Sequence, residues 1–205
     1  GDDHDGIIEL PADAADAVGQ SYADYAGLDD PVMDVAITPN RQDCMGVRGI
    51  ARDLAATGIG TLKELETPSI TRSGAGPDVR TDDLDGCPAF CGCGVSGVNN
   101  GASPDWIQAR LKSAGQKPIN ALVDITNYVM LDHGRPLHVY DVAKLNGGLV
   151  ARKAKPGESV VALNDNAYTL DETMTVIADE NGAHDIGGIM GGAATGSDEG
   201  TTDVL

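Results

Sequence analysis

The chain has 205 residues and a formal net charge of −18, from 14 basic and 32 acidic residues, which allows one sizeable domain or a domain plus an appendage. Hydrophobic residues at 41% and charged residues at 22% exclude a disordered chain, and so acidic a surface argues against a free-standing nucleic-acid binder. No apolar run approaches the roughly 18 residues of a membrane span, and Gly1-Asp2-Asp3-His4-Asp5-Gly6 is no signal peptide.

In chain order, Ile7-Ile8-Glu9-Leu10-Pro11 reads as the end of a short strand, followed by an Ala/Asp-rich stretch to about Gly27. Residues 32–37 alternate as a strand. Thr38-Pro39-Asn40-Arg41 breaks it, and Asp43 as cap predicts a helix over 44–57, with Val47, Ile50, Ala51 and Leu54 on one buried face. Residues 67–85 are polar and aperiodic, a candidate linker. A strand-like run covers 87–98. Ser103-Pro104-Asp105 then opens a helix ending before Gly115, and Asn120 caps another over 121–132, stopped by Gly134. Short strands follow at 149–154, 159–163, 167–170, 173–178 and 186–190. The pattern predicts an α+β fold, with helices packed on antiparallel sheets and a small N-terminal α/β module in front.

Chemistry-bearing residues fall in three places. On the second helix Leu122, Ile125 and Val129 make an apolar stripe, while Asn120, Asp124, Asn127 and Leu131 make a second stripe that is either solvated or lines a polar cavity. Next, Pro136 stiffens the turn that presents His138; His4, His133 and His184 lack such a setting and read as surface residues. Third, Gly187-Gly188-Ile189-Met190-Gly191-Gly192 allows the backbone to approach a ligand or to bulge between strands. Phosphate-loop, dinucleotide, nucleophile-elbow and His-Glu-x-x-His patterns do not occur. Cys87, Cys91 and Cys93 offer zinc no fourth ligand at finger spacing, and together with Cys44 they fit a reducing cytoplasm. No cofactor, metal or catalytic nucleophile is therefore expected within the chain. What remains is a candidate pocket between Asn127, His138 and the glycine turn.

These stretches resemble a known family. Thr38-Pro39-Asn40-Arg41-Gln42-Asp43-Cys44 with Gly49-Ile50-Ala51-Arg52-Asp53-Leu54-Ala55, Pro118-Ile119-Asn120-Ala121-Leu122-Val123-Asp124-Ile125-Thr126-Asn127-Tyr128-Val129-Met130, Gly134-Arg135-Pro136-Leu137-His138, Gly188-Ile189-Met190-Gly191-Gly192 and Thr201-Thr202-Asp203-Val204 are similar, in order and spacing, to bacterial phenylalanyl-tRNA synthetase β subunits. The resemblance implies that residues 1–66 are the end of an inserted OB-type module and the remainder of the first β-subunit module. It makes 67–85 a linker and 86–205 the editing domain (third and fourth modules), truncated at its C-terminus.

In that family the editing domain hydrolyses tyrosine wrongly joined to tRNA(Phe), by positioning water and the tRNA 3′ end rather than through a covalent nucleophile. The resemblance maps the editing pocket onto Asn127, Pro136, His138, Gly191 and Gly192, with Gly192 keeping the amino-acid pocket open. It places a tyrosine-selecting glutamate past Leu205. Cys93, Lys117 and Ala193 stand where relatives often carry arginine, arginine and glutamate. The resemblance further implies an α subunit partner in an α2β2 heterotetramer, with ATP and Mg2+ used by the intact ligase at a site in the α subunit. The missing initiator methionine and the ending at Val204-Leu205, within an apparent strand, predict a piece of a longer chain. The alternatives are a free-standing trans-editing or RNA-binding protein, and a scaffold domain with a decayed editing site.

Overall fold

The structure, a computed structural model, describes residues 6–28, 31–74 and 76–205; His4 lies outside them. The strands described are β1 (Val79–Thr81), β2 (Val95–Ser96), β3 (Leu149–Lys153), β4 (Ser159–Val161), β5 (Ala167–Thr169), β6 (Thr175–Ala178), β7 (Ala183–Ile186) and β8 (Asp203–Val204). The α-helices are α1 (Tyr22–Tyr25), α2 (Val47–Ala56), α3 (Asp105–Ser113) and α4 (Ala121–His133). The architecture is α+β. A central sheet runs in the order β1-β3-β6-β7, beside two-stranded sheets β2-β8 and β4-β5.

Alternation along the strands builds the core. Val150, Val176 and Ala178 point to one face of the central sheet, joined by Ala154, Val160 and Leu170. Leu149, Ala151 and Ile177 point to the other, joined by Tyr140. Each Val or Leu so buried contributes on the order of 1.5–3 kcal/mol relative to exposure. Most strand pairs are antiparallel as expected, but β1 runs parallel to β3, with Val79 opposite Leu149 and Thr81 opposite Ala151. A parallel pair requires a long crossover, and residues 82–148 supply it, carrying α3 and α4. Strand β1 falls within the polar stretch 67–85; three residues are too few for alternation to be visible. Just beyond it Asp83 is buried, accepting from Thr175 Oγ1 at 2.7 Å and facing the Lys153 ammonium at 3.1 Å.

The glycine run differs from its expected form. Strand β7 ends at Ile186, and residues 187–190 form a turn in which Gly188 has φ +72° and Met190 N–H donates back to the Ile186 carbonyl at 3.1 Å. Glycine weakens strand interiors and accepts positive φ, so the pairing shifts to the residues before the run. After the turn the chain pairs with the β4 edge: Leu163 N–H donates to the Gly191 carbonyl, and Ala193 N–H to the Val161 carbonyl, both at 2.9 Å. The run over 87–98 is likewise strand only at β2, beyond Gly92 and Gly94.

Helix α4 follows its signals: the Asn120 side chain accepts from Val123 N–H at 3.0 Å, and Gly134 closes it with φ +70°. Ser103 does not cap α3. Its hydroxyl donates instead to the buried carboxylate of Asp124, which also accepts from Ile119 N–H at 2.8 Å. The second stripe of α4 is thus held inward at Asp124, while Ile125 of the apolar stripe is exposed. In α2 the expected buried face is displaced as well. Val47 and Leu54 are exposed, and the buried positions are Gly46 at its cap and Gly49 within it. A Cβ on Gly49 would overlap the Asp43 carbonyl, and one on Gly46 would overlap the backbone at Gly134, so close backbone approach sets the orientation of the helix.

The strands expected over 7–11 and 32–37 are irregular and largely exposed. A strand needs a neighbour for its backbone groups, and among the described residues none precedes β1. Among its described residues the small N-terminal module therefore contains helix and coil, without the strand component expected of it.

Candidate functional site

His138 lies between α4 and the 3-10 turn Val142–Lys144, in a loop whose end pairs with the C-terminal strand: Tyr140 and Leu205 exchange backbone hydrogen bonds at 2.9 and 3.1 Å. That pairing fixes where the imidazole projects. Its ring meets Tyr140 edge-on, with centroids 4.5 Å apart. On its other side runs the glycine turn. A Cβ built on Gly191 would lie 2.5 Å from His138 Cε1, so a side chain there would displace the imidazole.

The group that ties these parts together is Asp185, in the middle of β7 and 4% exposed. One carboxylate oxygen accepts from the Tyr140 hydroxyl. The other accepts from Gly192 N–H at 2.6 Å and lies 3.9 Å from His138 Nε2. Burial, then the neighbouring carboxylate, push the Tyr140 hydroxyl well above the usual tyrosine range, so it stays a donor. The result is a partly exposed imidazole backed by a buried carboxylate and a buried phenol, beside a strip of backbone.

His138 and Gly191 are therefore in contact, and Gly192 joins them through Asp185. The need for glycine differs between the two. A Cβ on Gly192 would overlap the His184 carbonyl oxygen, so glycine there is required by strand packing; at Gly191 a Cβ would meet only the side-chain ends of His138 and Leu163, which would have to move. Asn127 is half-buried on α4 and makes no side-chain hydrogen bond to this cluster among the described residues, and Pro136 is exposed in the preceding loop. Two cavities lie elsewhere: one of about 170 Å³ lined by Arg48, Arg52 and His133, and one of about 310 Å³ lined by Arg80, Arg152 and Lys155.

Sequence reasoning missed Tyr140 and Asp185. Asp185 stands just ahead of the strand expected over 186–190, so no local signal placed it inside one. His184 was expected at the surface but is buried, with Nε2 2.9 Å from Asp179 Oδ2. Desolvation raises the Asp179 carboxyl, but the Asn146 and Asn181 N–H groups and His184 outweigh it and hold the carboxyl below its ordinary value.

A second polar cluster sits before α2. Asp43, Cys44 and Asp53 place ligand-type atoms within 4.8 Å of one another. Arg41 and Arg52 already pair with both carboxylates, and burial, with the Asp53 carboxylate, keeps the Cys44 thiol above its usual range. A divalent cation such as Mg2+ would meet two guanidiniums there, so the cluster does not fit one.

Residues 86–205 match the B3/4 domain family, and the chain belongs to it. Over its full length the chain is 63% identical to the phenylalanine–tRNA ligase β subunit of Novosphingobium aromaticivorans and 54% identical to that of Zymomonas mobilis, spanning 26% of each. The chain thus covers about a quarter of these curated relatives. An N-terminal fragment of the Pyrococcus horikoshii phenylalanyl-tRNA synthetase β subunit aligns over 80% of this chain and 51% of its own, at 19% identity and a TM-score of 0.43. Among the described residues no helix is long and apolar enough to cross a membrane.

Proposed function

We propose that this chain is the editing part of a cytoplasmic phenylalanine–tRNA ligase β subunit, hydrolysing the ester that joins tyrosine to tRNA(Phe). In this reading residues 1–66 belong to the end of an OB-type insertion and the first module, 67–85 form a connection whose end adds β1 to the sheet, and 86–205 carry the editing domain. The parent ligase pairs with an α subunit as α2β2 and charges tRNA(Phe) using ATP and Mg2+ outside this chain.

The pocket is assigned to Asn127, Pro136, His138, Gly191 and Gly192, with the tRNA 3′ end as ligand. Water attacks the ester carbonyl; the carbon–oxygen bond to the ribose breaks, and tyrosine and free tRNA result. His138 and Asn127 hydrogen-bond the ester, its amino group or the attacking water, so the rate comes from orientation and polar stabilisation rather than a covalent intermediate. Asp185 and Tyr140 hold the imidazole and the turn in one arrangement. The observation that carries the reading is the contact of His138 with Gly191, which joins two distant motifs at one exposed imidazole; 63% identity to a ligase β subunit supports the substrate class.

The test is deacylation of Tyr-tRNA(Phe) by the intact ligase containing this chain. His138→Ala should lower kcat about 100-fold, within the usual range for a polar catalytic group, and leave phenylalanine charging unchanged. Equal deacylation by wild type and variant would remove His138 from the site.

A further inference from the structure

Burying a carboxylate is costly unless donors surround it, and Asp185 has two that cannot change roles. Gly192 offers Oδ1 a backbone N–H at 2.6 Å, a group that only donates. The Tyr140 hydroxyl donates to Oδ2, and its pKa, pushed well above the usual tyrosine range, keeps it a donor. A carboxylate has about four accepting sites, so room for further donors remains. Among the described residues, the basic side chain that reaches Asp185 is His138, with Nε2 3.9 Å from Oδ1.

The two nitrogens of that ring have different surroundings. Nε2 faces the carboxylate, while the Cε1–Nδ1 edge faces the glycine strip. A Cβ built on Gly191 would stand 2.5 Å from Cε1 and 3.0 Å from Nδ1. In a neutral imidazole one nitrogen carries the hydrogen and the other a lone pair, and the neighbour of one decides for both. An ionised carboxylate can only accept. The hydrogen therefore belongs on Nε2 and the lone pair on Nδ1, beside Gly191.

We propose that Asp185 is a positioning residue of the editing reaction: it keeps the hydrogen of His138 on Nε2, so that Nδ1 accepts a hydrogen bond from the attacking water. The inference rests on the editing reading and narrows it, since the imidazole then serves the water as acceptor instead of the ester as donor. The 3.9 Å separation is longer than a hydrogen bond, and the imidazole, 30% exposed, closes it by a small rotation when the aminoacyl group covers the ring. Tyr140 acts one step further back, holding the carboxylate in its orientation. No bond to the protein forms.

The experiment uses the intact ligase containing this chain and follows deacylation of Tyr-tRNA(Phe). Asp185→Ala alone should lower both kcat and the Tm, because the Tyr140 hydroxyl is left buried without its acceptor. Joint Tyr140→Phe and Asp185→Ala removes both partners, so most of the Tm returns. In that double variant kcat should stay about tenfold low with KM nearly unchanged, as expected for a misaligned catalytic group. On a His138→Ala background the same pair of changes should alter kcat by less than about twofold, because Asp185 acts through the imidazole. A second readout does not need deacylation. Diethyl pyrocarbonate acylates an imidazole nitrogen that carries no hydrogen, and peptide mass spectrometry gives its rate at His138 in the ligase. Without the carboxylate the ring turns freely, and modification should become severalfold faster.

Recovery of kcat together with the Tm overturns the inference, since the carboxylate then serves the fold alone. An undiminished loss on the His138→Ala background overturns it as well, and so do equal modification rates with and without Asp185. Wild-type ligase that leaves Tyr-tRNA(Phe) intact, while His138 is modified faster in the double variant, refutes the editing reading and leaves the placement of the hydrogen standing.

Discussion

The two ends of the chain use apolar residues in opposite ways. From β1 onward, Leu149, Ala151, Val176 and Ala178 lie fully inside two clusters on either face of the sheet. Before β1, Ile7, Ile8, Val32, Met33 and Ile59 stand in water. The hydrophobic content of the two regions is comparable to the eye; what differs is whether neighbouring strands give those side chains something to cover. Burial follows from pairing, and a run with strand-like alternation but no partner stays irregular.

The sharpest way to break this comparison is Leu149→Ala. Its side chain is fully buried, and truncation should remove about 3 kcal/mol of stability through lost transfer energy plus a cavity. Urea unfolding reads it, and a loss below about 1 kcal/mol would mean the core is loosely packed.

Gly192→Ala comes next. Its Cβ has no space against the His184 carbonyl, so about 2 kcal/mol should disappear as the backbone shifts. A stable variant would return this glycine to the role of keeping the pocket open.

The ion pairs sharpen the contrast further. Glu158 accepts two hydrogen bonds from Arg152, at 2.6 and 2.9 Å, and one from Ala183 N–H at 2.9 Å, joining the β4–β5 hairpin to the sheet. The Arg152 guanidinium holds its carboxyl down at about 2, from an ordinary 4.5. A depressed carboxyl stabilises fully above the unfolded value and loses that contribution as pH falls through the folded one. Stability should therefore decline between about pH 4.5 and 2, and Glu158→Gln should flatten that limb in unfolding curves taken across the range. The Arg41–Asp43–Asp53 cluster is half-exposed and screened, so little pH dependence is expected from it.

Smallest of all is Ile59→Ala, at a residue 77% exposed. Its effect on the unfolding midpoint should stay within about 0.5 kcal/mol. A larger loss would show that the N-terminal region has apolar contacts of its own.

Helix α4, the end of α3 at Gly115 and the four strands β3 to β6 were legible because their signals are local: caps, stop glycines and alternation. Two kinds of feature were not. Strand β1 is short and its partner begins at Leu149, so its pairing is non-local. The buried acids were hidden for a related reason. Asp124 sits on a stripe that spacing leaves either solvated or lining a polar cavity, and Asp185 has no local signal of burial; Tyr140, Gly192 and Ser103, each from a distant stretch, satisfy them. Of the candidate site, His138 and the glycine turn could be read from backbone chemistry alone, through a proline-stiffened turn and a side-chain-free strip. The carboxylate behind them required the fold.

The crossing of Gly46 with the end of α4 carries a mechanical consequence. No side chain separates the start of α2 from residues 132–134, so the two helices meet as bare rods with no cushion between them. Any tilt of α2 is delivered to Gly134, four positions before His138. A methyl group at Gly46 would act as a wedge at that crossing.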